Sequence, residues 1–251
     1  PSTPVPKPRN WMEEVRTMIF QKLDFNPELL DKHILSQELI DDIAEELCHF
    51  HMLFCPAFSR TKKIEHSTMY LKGLLSSLER KHMEGIALNF SGPDAVRGLQ
   101  KFMKDSPWDD EFMHDIYLQE LGNDISDENG MFTIDSSENL KKGKESVGVS
   151  RQYCGNTGKT DNCQSGVFLG YASQKGYGLL DRRLYMPEKW FDNDYAERRK
   201  TCKVPEDIRF QTKLEIAIDL LTRAKEQGIF PGKWVGCDAF FGCSQKFCDQ
   251  I

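Results

Sequence analysis

The stretch 164–186, QSGVFLGYASQKGYGLLDRRLYM, decides the fold class. Two runs rich in aliphatic and aromatic residues, 164–172 and 177–186, are separated by Ser173, Gln174, Lys175 and Gly176. This pattern reads as a β-hairpin, with Gly176 expected to supply a positive φ in the turn. Working outward, residues 131–135, MFTID, make a short strand candidate upstream. Downstream, residues 212–227 read as a helix with clear punctuation. Thr212 and Glu215 form a Thr-x-x-Glu capping box, Leu214, Ala217, Ile218 and Leu221 make the apolar face, and Gly228 can close the last turn. Residues 234–238, WVGCD, give one more strand. The order is strand, strand, strand, helix, strand: a hairpin meander followed by a crossover helix.

Upstream the period changes from two to between three and four. Residues 11–121 read as helical. Ile40, Ile43, Ala44, Leu47, His51 and Phe54 recur on one face of a helix that could start at Ser36 and should end at Pro56. A second helix falls within 69–83, with Leu71, Leu74, Leu75 and Leu78 on its buried side. A third spans 94–103 after the break at Gly92 and Pro93, and a fourth 108–121. Short helices with tight breaks suit a DNA-binding module and any small helical bundle equally well. The acidic, turn-rich stretch 122–130, GNDISDENG, marks the expected boundary. The domains are thus 1–121, helical; 122–130, linker; and 131–251, a sheet-bearing domain. The fold class is α+β.

If the last strand lies parallel beside the first, Asp135 and Asp238 sit side by side at the sheet's active edge. Carboxylates on neighbouring strands can bridge two Mg²⁺ ions roughly 3.5–4 Å apart, one activating a nucleophilic oxygen and the other stabilising the leaving oxygen. Aspartates at strand ends are also common as turn formers.

The chain has 251 residues, eight cysteines and a net charge of −6. An acidic balance counts against nucleic-acid binding in general, but the charge is uneven. Lys141, Lys142, Lys144, Arg151 and Lys159 face only Glu145 within 140–160, and Arg198, Arg199, Lys200 and Lys203 form a second basic cluster. Such patches are compatible with DNA contact and with a solvated surface. The N-terminal stretch PSTPVPKPRN carries no apolar signal core, and the longest apolar runs, such as 166–171, are far short of a membrane span. Reduced thiols in a cytoplasm are therefore expected. Cys48, His49, His51 and Cys55 fit no common zinc spacing and read as helix residues. The phosphate-loop look of 155–160, GNTGKT, lacks the leading glycine, because position 153 is Tyr153. No Gly-x-Ser-x-Gly supports a serine hydrolase.

An ordered string of motifs carries a family likeness. It runs from SVGVSRQYCG at 146–155 through NCQ at 162–164, GVFL at 166–169 and YAS at 171–173. It continues with LDRRLY at 180–185 followed by Pro187, VPED at 204–207 and TKLE at 212–215, and is joined upstream by LKGLL at 71–75 and SPWD at 106–109. From about residue 50 onward the sequence resembles bacterial insertion-sequence transposases of the DDE superfamily, whose catalytic domain is RNase H-like. The resemblance implies a helical N-terminal region followed by a partial RNase H-like mixed sheet with a flanking helix. It places the first catalytic Asp on Asp135 and the second on Asp238, both ligands of Mg²⁺ or Mn²⁺. The third acid, a Glu on a later helix, has no match before Ile251, so the chain is read as cut off ahead of it and expected to cleave poorly. Ser136, Ser137, Glu138 and Asn139 stand where relatives carry a Thr-Gly-Phe-like turn.

The implied activity is metal-dependent cleavage of element ends and strand transfer. The implied partner is double-stranded DNA, with a homo-oligomer on DNA as a further candidate. Lys141, Lys142, Arg151, Lys159, Arg182 and Arg183 are the candidate DNA contacts. Two other readings stand beside this one: a catalytically inactive DNA-binding fragment or regulator, and a non-transposing nuclease of the same fold.

Overall fold

The computed structural model describes residues 37–251. The helical expectation for residues 11–36, including a start at Ser36, lies outside them. The chain splits into two compact units between Ile116 and Tyr117.

The first unit is helical. Helix α1, Gln37–Phe54, buries Ala44, Cys48 and His51, and passes into a 3-10 turn at Cys55–Ala57 where Pro56 denies the next backbone donor. Ile43, expected on the inner face, is 48% exposed, because the buried row runs one position further round through Cys48. Helix α2 is Thr61–Leu75, with Ile64, Thr68, Lys72 and Gly73 buried. This corrects the expected helix within 69–83: Leu74 and Leu75 are exposed. The physical reason is Ser76, whose hydroxyl donates to Gly73 O at 2.8 Å and ends the helix by competing with the backbone ladder. Leu78 then packs on the core from a loop.

Helix α3, Met83–Phe90, starts at His82, whose ring accepts from Gly85 N–H. Helix α4, Pro93–Asp105, opens as expected, with Gly92 at φ 84° and Pro93 in the first turn. The core of this unit gathers Cys55, Phe58, Ile64, Ile86, Ala87, Leu99 and Phe102, with Trp108 stacked on Phe102 at 5.0 Å. Helix α5, Asp110–Ile125, begins after Asp109, whose carboxylate accepts from Phe112 N–H at 2.9 Å. It runs four residues past the expected end at 121, because Gly122 and Ile125 continue its buried row.

The second unit is built on five strands: β1 (Met131–Leu140), β2 (Ser150–Cys154), β3 (Lys159–Ala172), β4 (Tyr177–Tyr185) and β5 (Trp234–Cys237). Antiparallel β3 pairs with β1 along one edge; β2 and β4 share its other edge, at 159–163 and 165–172. Strand β5 lies parallel to β1, which makes the sheet mixed. The short helix α6 (Ala196–Thr201) precedes α7 (Lys213–Gln227), and α8 (Ala239–Gly242) and α9 (Gln245–Cys248) follow β5. Helix α7 carries the expected Thr212–Glu215 capping box and ends at Gly228, which takes φ 68°. It lays Ile216, Ala217, Leu220, Leu221 and Ala224 against Phe132, Ile134, Val167, Leu169 and Tyr171. The expected α+β class holds, with helices ahead of a mixed RNase H-like sheet and one flanking helix. Among the described residues no helix is long and apolar enough to cross a membrane.

Three details differ from the sequence reading. Strand β1 reaches Leu140, five residues beyond Asp135, because every residue to 140 has a partner on β3. Strand β2 and the start of β3 were hidden by their polar composition. Gly176 does not take a positive φ. It is small for another reason: a Cβ there would lie 3.0 Å from Ile125 Cγ2. The turn closes instead through Ser173 N–H to Gly176 O at 2.8 Å.

Candidate active site

Two carboxylates are brought to one edge by the pairing of β1 with β5. The parallel register runs Met131 with Trp234, Phe132 with Val235, Thr133 with Gly236 and Ile134 with Cys237. The next residues are Asp135, within β1, and Asp238, directly after the end of β5. Neighbouring strands lie about 4.8 Å apart, so the register sets the backbones of the two residues side by side. Both residues are exposed. Asp135 Oδ1 accepts from Ser136 N–H at 2.7 Å. Asp238 leaves the strand to cap α8, its Oδ1 accepting from Phe241 N–H at 3.2 Å. Each aspartate spends one oxygen on its own backbone. Among the described residues the other oxygen of each has no hydrogen-bond partner.

The loops that lead into these strands are tied together. Tyr171, 1% exposed, sits under both. Its hydroxyl accepts from Asp127 N–H at 3.1 Å and faces two carbonyls, Asp127 O at 2.7 Å ahead of β1 and Pro231 O at 2.6 Å ahead of β5. Lys233 N–H donates to Gly130 O at 3.1 Å, a further link between the same segments.

Beyond Asp135, β1 turns Ser136 and Glu138 toward the side that Ile134 occupies. Glu138 pairs with Lys213 from the first turn of α7 at 3.0 Å, with only 8% and 17% of the two side chains exposed. Burial pushes the Glu138 carboxyl up. The hydrogen bonds and charge of Lys213, with donors from Ser165 and Gly155 N–H, outweigh it and hold the group below the ordinary glutamate range. Sequence reading missed this cluster. Its one sequence signal was a lysine at a helix N-terminus, where the dipole disfavours a cation.

The candidate DNA contacts fall in two groups. Lys141, Lys142, Arg151 and Lys159 gather at one end of the sheet: Lys141 N–H donates to Asn162 O at 2.9 Å, and Arg151 is the register partner of Asn162 on its other side. Lys142, Arg151 and Lys159 are exposed, and Lys159 lies 3.8 Å from Asp161. Arg182 and Arg183 lie on β4. Arg182 is exposed. Arg183 is engaged internally with Asp219 at 2.9 Å and Gln211 at 3.2 Å. Cys154 and Lys159 flank the turn that carries the phosphate-loop lookalike, which is a strand connection. All eight cysteines are free thiols.

An oxygen-only donor set at a strand edge suits a hard dication such as Mg²⁺ or Mn²⁺. Asp135 and Asp238 supply two carboxylates; among the described residues no third Asp, Glu, His or Cys joins them in one group.

Comparison with known proteins agrees with this architecture. Residues 53–251 match the family described as DDE superfamily endonuclease. Over 179 residues, 69% of this chain and 42% of the relative, the sequence is 31% identical to a protein of Microchaete diplosiphon named the probable transposase for insertion sequence element IS701. The chain therefore spans less than half the length of that relative. No solved structure matches it.

Proposed function

The chain belongs to the DDE superfamily of endonucleases, and on that premise we propose that it is an insertion-sequence transposase that cleaves DNA at element ends and transfers the freed strand. The observation that supports this most is the parallel register of β1 and β5, which puts Asp135 and Asp238 one step beyond paired residues.

In this reading Asp135 and Asp238 would hold Mg²⁺ or Mn²⁺, which would supply Lewis acidity for phosphodiester chemistry. The chain's own residues orient the substrate. Lys141, Lys142, Arg151 and Lys159 lie at one end of the same sheet and act as phosphate contacts that fix the duplex. Arg182 adds a cation from β4. Arg183 contributes less to DNA, since its guanidinium is already committed to Asp219. Two carboxylates neutralise two dications only in part, so a weak metal site and slow cleavage are expected of these residues alone.

The test is metal-dependent nicking of supercoiled plasmid, with gel-shift binding measured in parallel, for wild type, Asp135→Asn and Asp238→Asn. The reading expects each substitution to remove the nicking that wild type gives and to leave DNA binding in place. Nicking that persists in both variants refutes it, and binding without any wild-type nicking would favour a DNA-binding regulator.

A further inference from the structure

Lys213 is the first residue of α7, where the helix dipole disfavours a cation, yet its ammonium is turned inward. There it donates to Glu138 Oε1 at 3.0 Å and to Ser136 Oγ at 3.3 Å. It also lies 5.7 Å from the ring centroid of Tyr185 and 6.0 Å from that of Phe240. Both oxygens of Glu138 are engaged: Oε1 also accepts from Ser165 Oγ at 3.1 Å and Ser136 Oγ at 3.3 Å, and Oε2 from Gly155 N–H at 3.2 Å. Among the described residues Glu138 is not grouped with the two aspartates.

The neighbours of this pair matter more than the pair itself. Ser136 is the residue whose N–H holds Asp135 Oδ1 at 2.7 Å. Phe240 belongs to α8, the turn that Asp238 caps. One partly buried ammonium is thus bracketed by groups adjacent to each aspartate. Buried ion pairs are poor stabilisers compared with apolar pairs of the same size, so stability alone does not account for this one.

We propose that Lys213 and Glu138 are positioning residues that hold Asp135 and Asp238 in a metal-binding arrangement, without touching the ion. The proposal rests on the assignment of the two aspartates as metal ligands.

The experiment is a Mn²⁺ titration of the whole chain, followed by electron paramagnetic resonance, with circular dichroism as the check on folding. The variants are Asp135→Asn, Lys213→Arg and the double Glu138→Leu/Lys213→Met. The double variant removes one charge of each sign, so the net charge of the chain is unchanged, and Lys213→Arg separates loss of the ion pair's arrangement from loss of the cation. The proposal expects it to fold and to bind Mn²⁺ up to about tenfold more weakly, the low end of the effect of groups bonded directly to a ligand, since Lys213 and Glu138 act through Ser136 and α8. It expects Lys213→Arg, which keeps a cation and its donors, to recover most of the affinity. Wild-type affinity in the double variant overturns the positioning role, and so does a Lys213→Arg protein that folds but binds no better than the double variant. Equal binding by wild type and Asp135→Asn would remove the metal-site assignment itself, and the positioning role with it.

Discussion

Replacing Tyr171 with Phe should loosen the sheet where β1 and β5 begin, the two strands that lead to Asp135 and Asp238. The substitution keeps the ring, which packs 5.5 Å from Phe132 and 5.0 Å from Phe230, and removes only the hydroxyl. That hydroxyl accepts one bond, from Asp127 N–H, and has one proton to give to Asp127 O or Pro231 O. Two hydrogen bonds are therefore removed, each contributing about 1 kcal/mol net. The stranded N–H and carbonyl are partly reachable by water, so the total stays near 2 kcal/mol rather than the full cost of burying both unpaired. A loss of about 2 kcal/mol corresponds to roughly a 30-fold rise in the open population. Hydrogen exchange read by mass spectrometry is the suitable assay, because it reports on peptides of β1 and β3 separately from the helical unit. Amides of β1 and β3 should exchange roughly 30-fold faster in the Tyr171→Phe chain, with helices α2 to α4 unchanged. Unchanged protection of β1 and β3 would show that the hydroxyl does not tie the strand entries together.

Other outcomes follow from named groups. Burial, and then the charge of Lys72, push the His51 imidazole down to about 4. The unfolded chain takes up a proton near pH 6.5 that the folded unit refuses until about pH 4. The first unit should thus keep its full stability above about pH 6.5 and lose roughly 3 kcal/mol as pH falls from there to about 4. Urea midpoints across that range should show the slope in wild type and a flatter one in His51→Leu; equal slopes would contradict the assignment. Lys141→Ala with Lys142→Ala should flatten the dependence of log K for DNA on log salt by up to about one unit for each phosphate interaction removed. An unchanged slope would return both lysines to the solvated surface.

How much of this was legible in the sequence depended on punctuation. Helix α7 was readable because Thr212, Glu215 and Gly228 announce both ends, and α4 because Gly92 and Pro93 open it. Helix α2 was misplaced because the stripe of leucines at 71–78 outweighed Ser76, a single hydroxyl that stops the helix. Strand β2 and residues 159–163 were missed because strands with polar side chains at an open end of a sheet carry no alternation of hydrophobicity. Asp135 and Asp238 stood out through family resemblance; their separation in space follows only from the register of β1 against β5. The Glu138–Lys213 pair, 75 residues apart in the chain, had only a lysine at a helix N-terminus to announce it. A run of Ser, Ser, Glu and Asn reads as a turn until its partners are known.

Iron-directed cleavage tests the proposal that Asp135 and Asp238 share one metal site. Fe²⁺ can be loaded in place of Mg²⁺, and ascorbate with peroxide then generates hydroxyl radicals that cut the polypeptide next to the bound ion. Two cuts are expected, one close to Asp135 and one close to Asp238, both suppressed by excess Mg²⁺ and both absent in either Asp→Asn variant. Cuts elsewhere, or cuts at these positions that survive Asp135→Asn and Asp238→Asn, would contradict a metal held by the two aspartates.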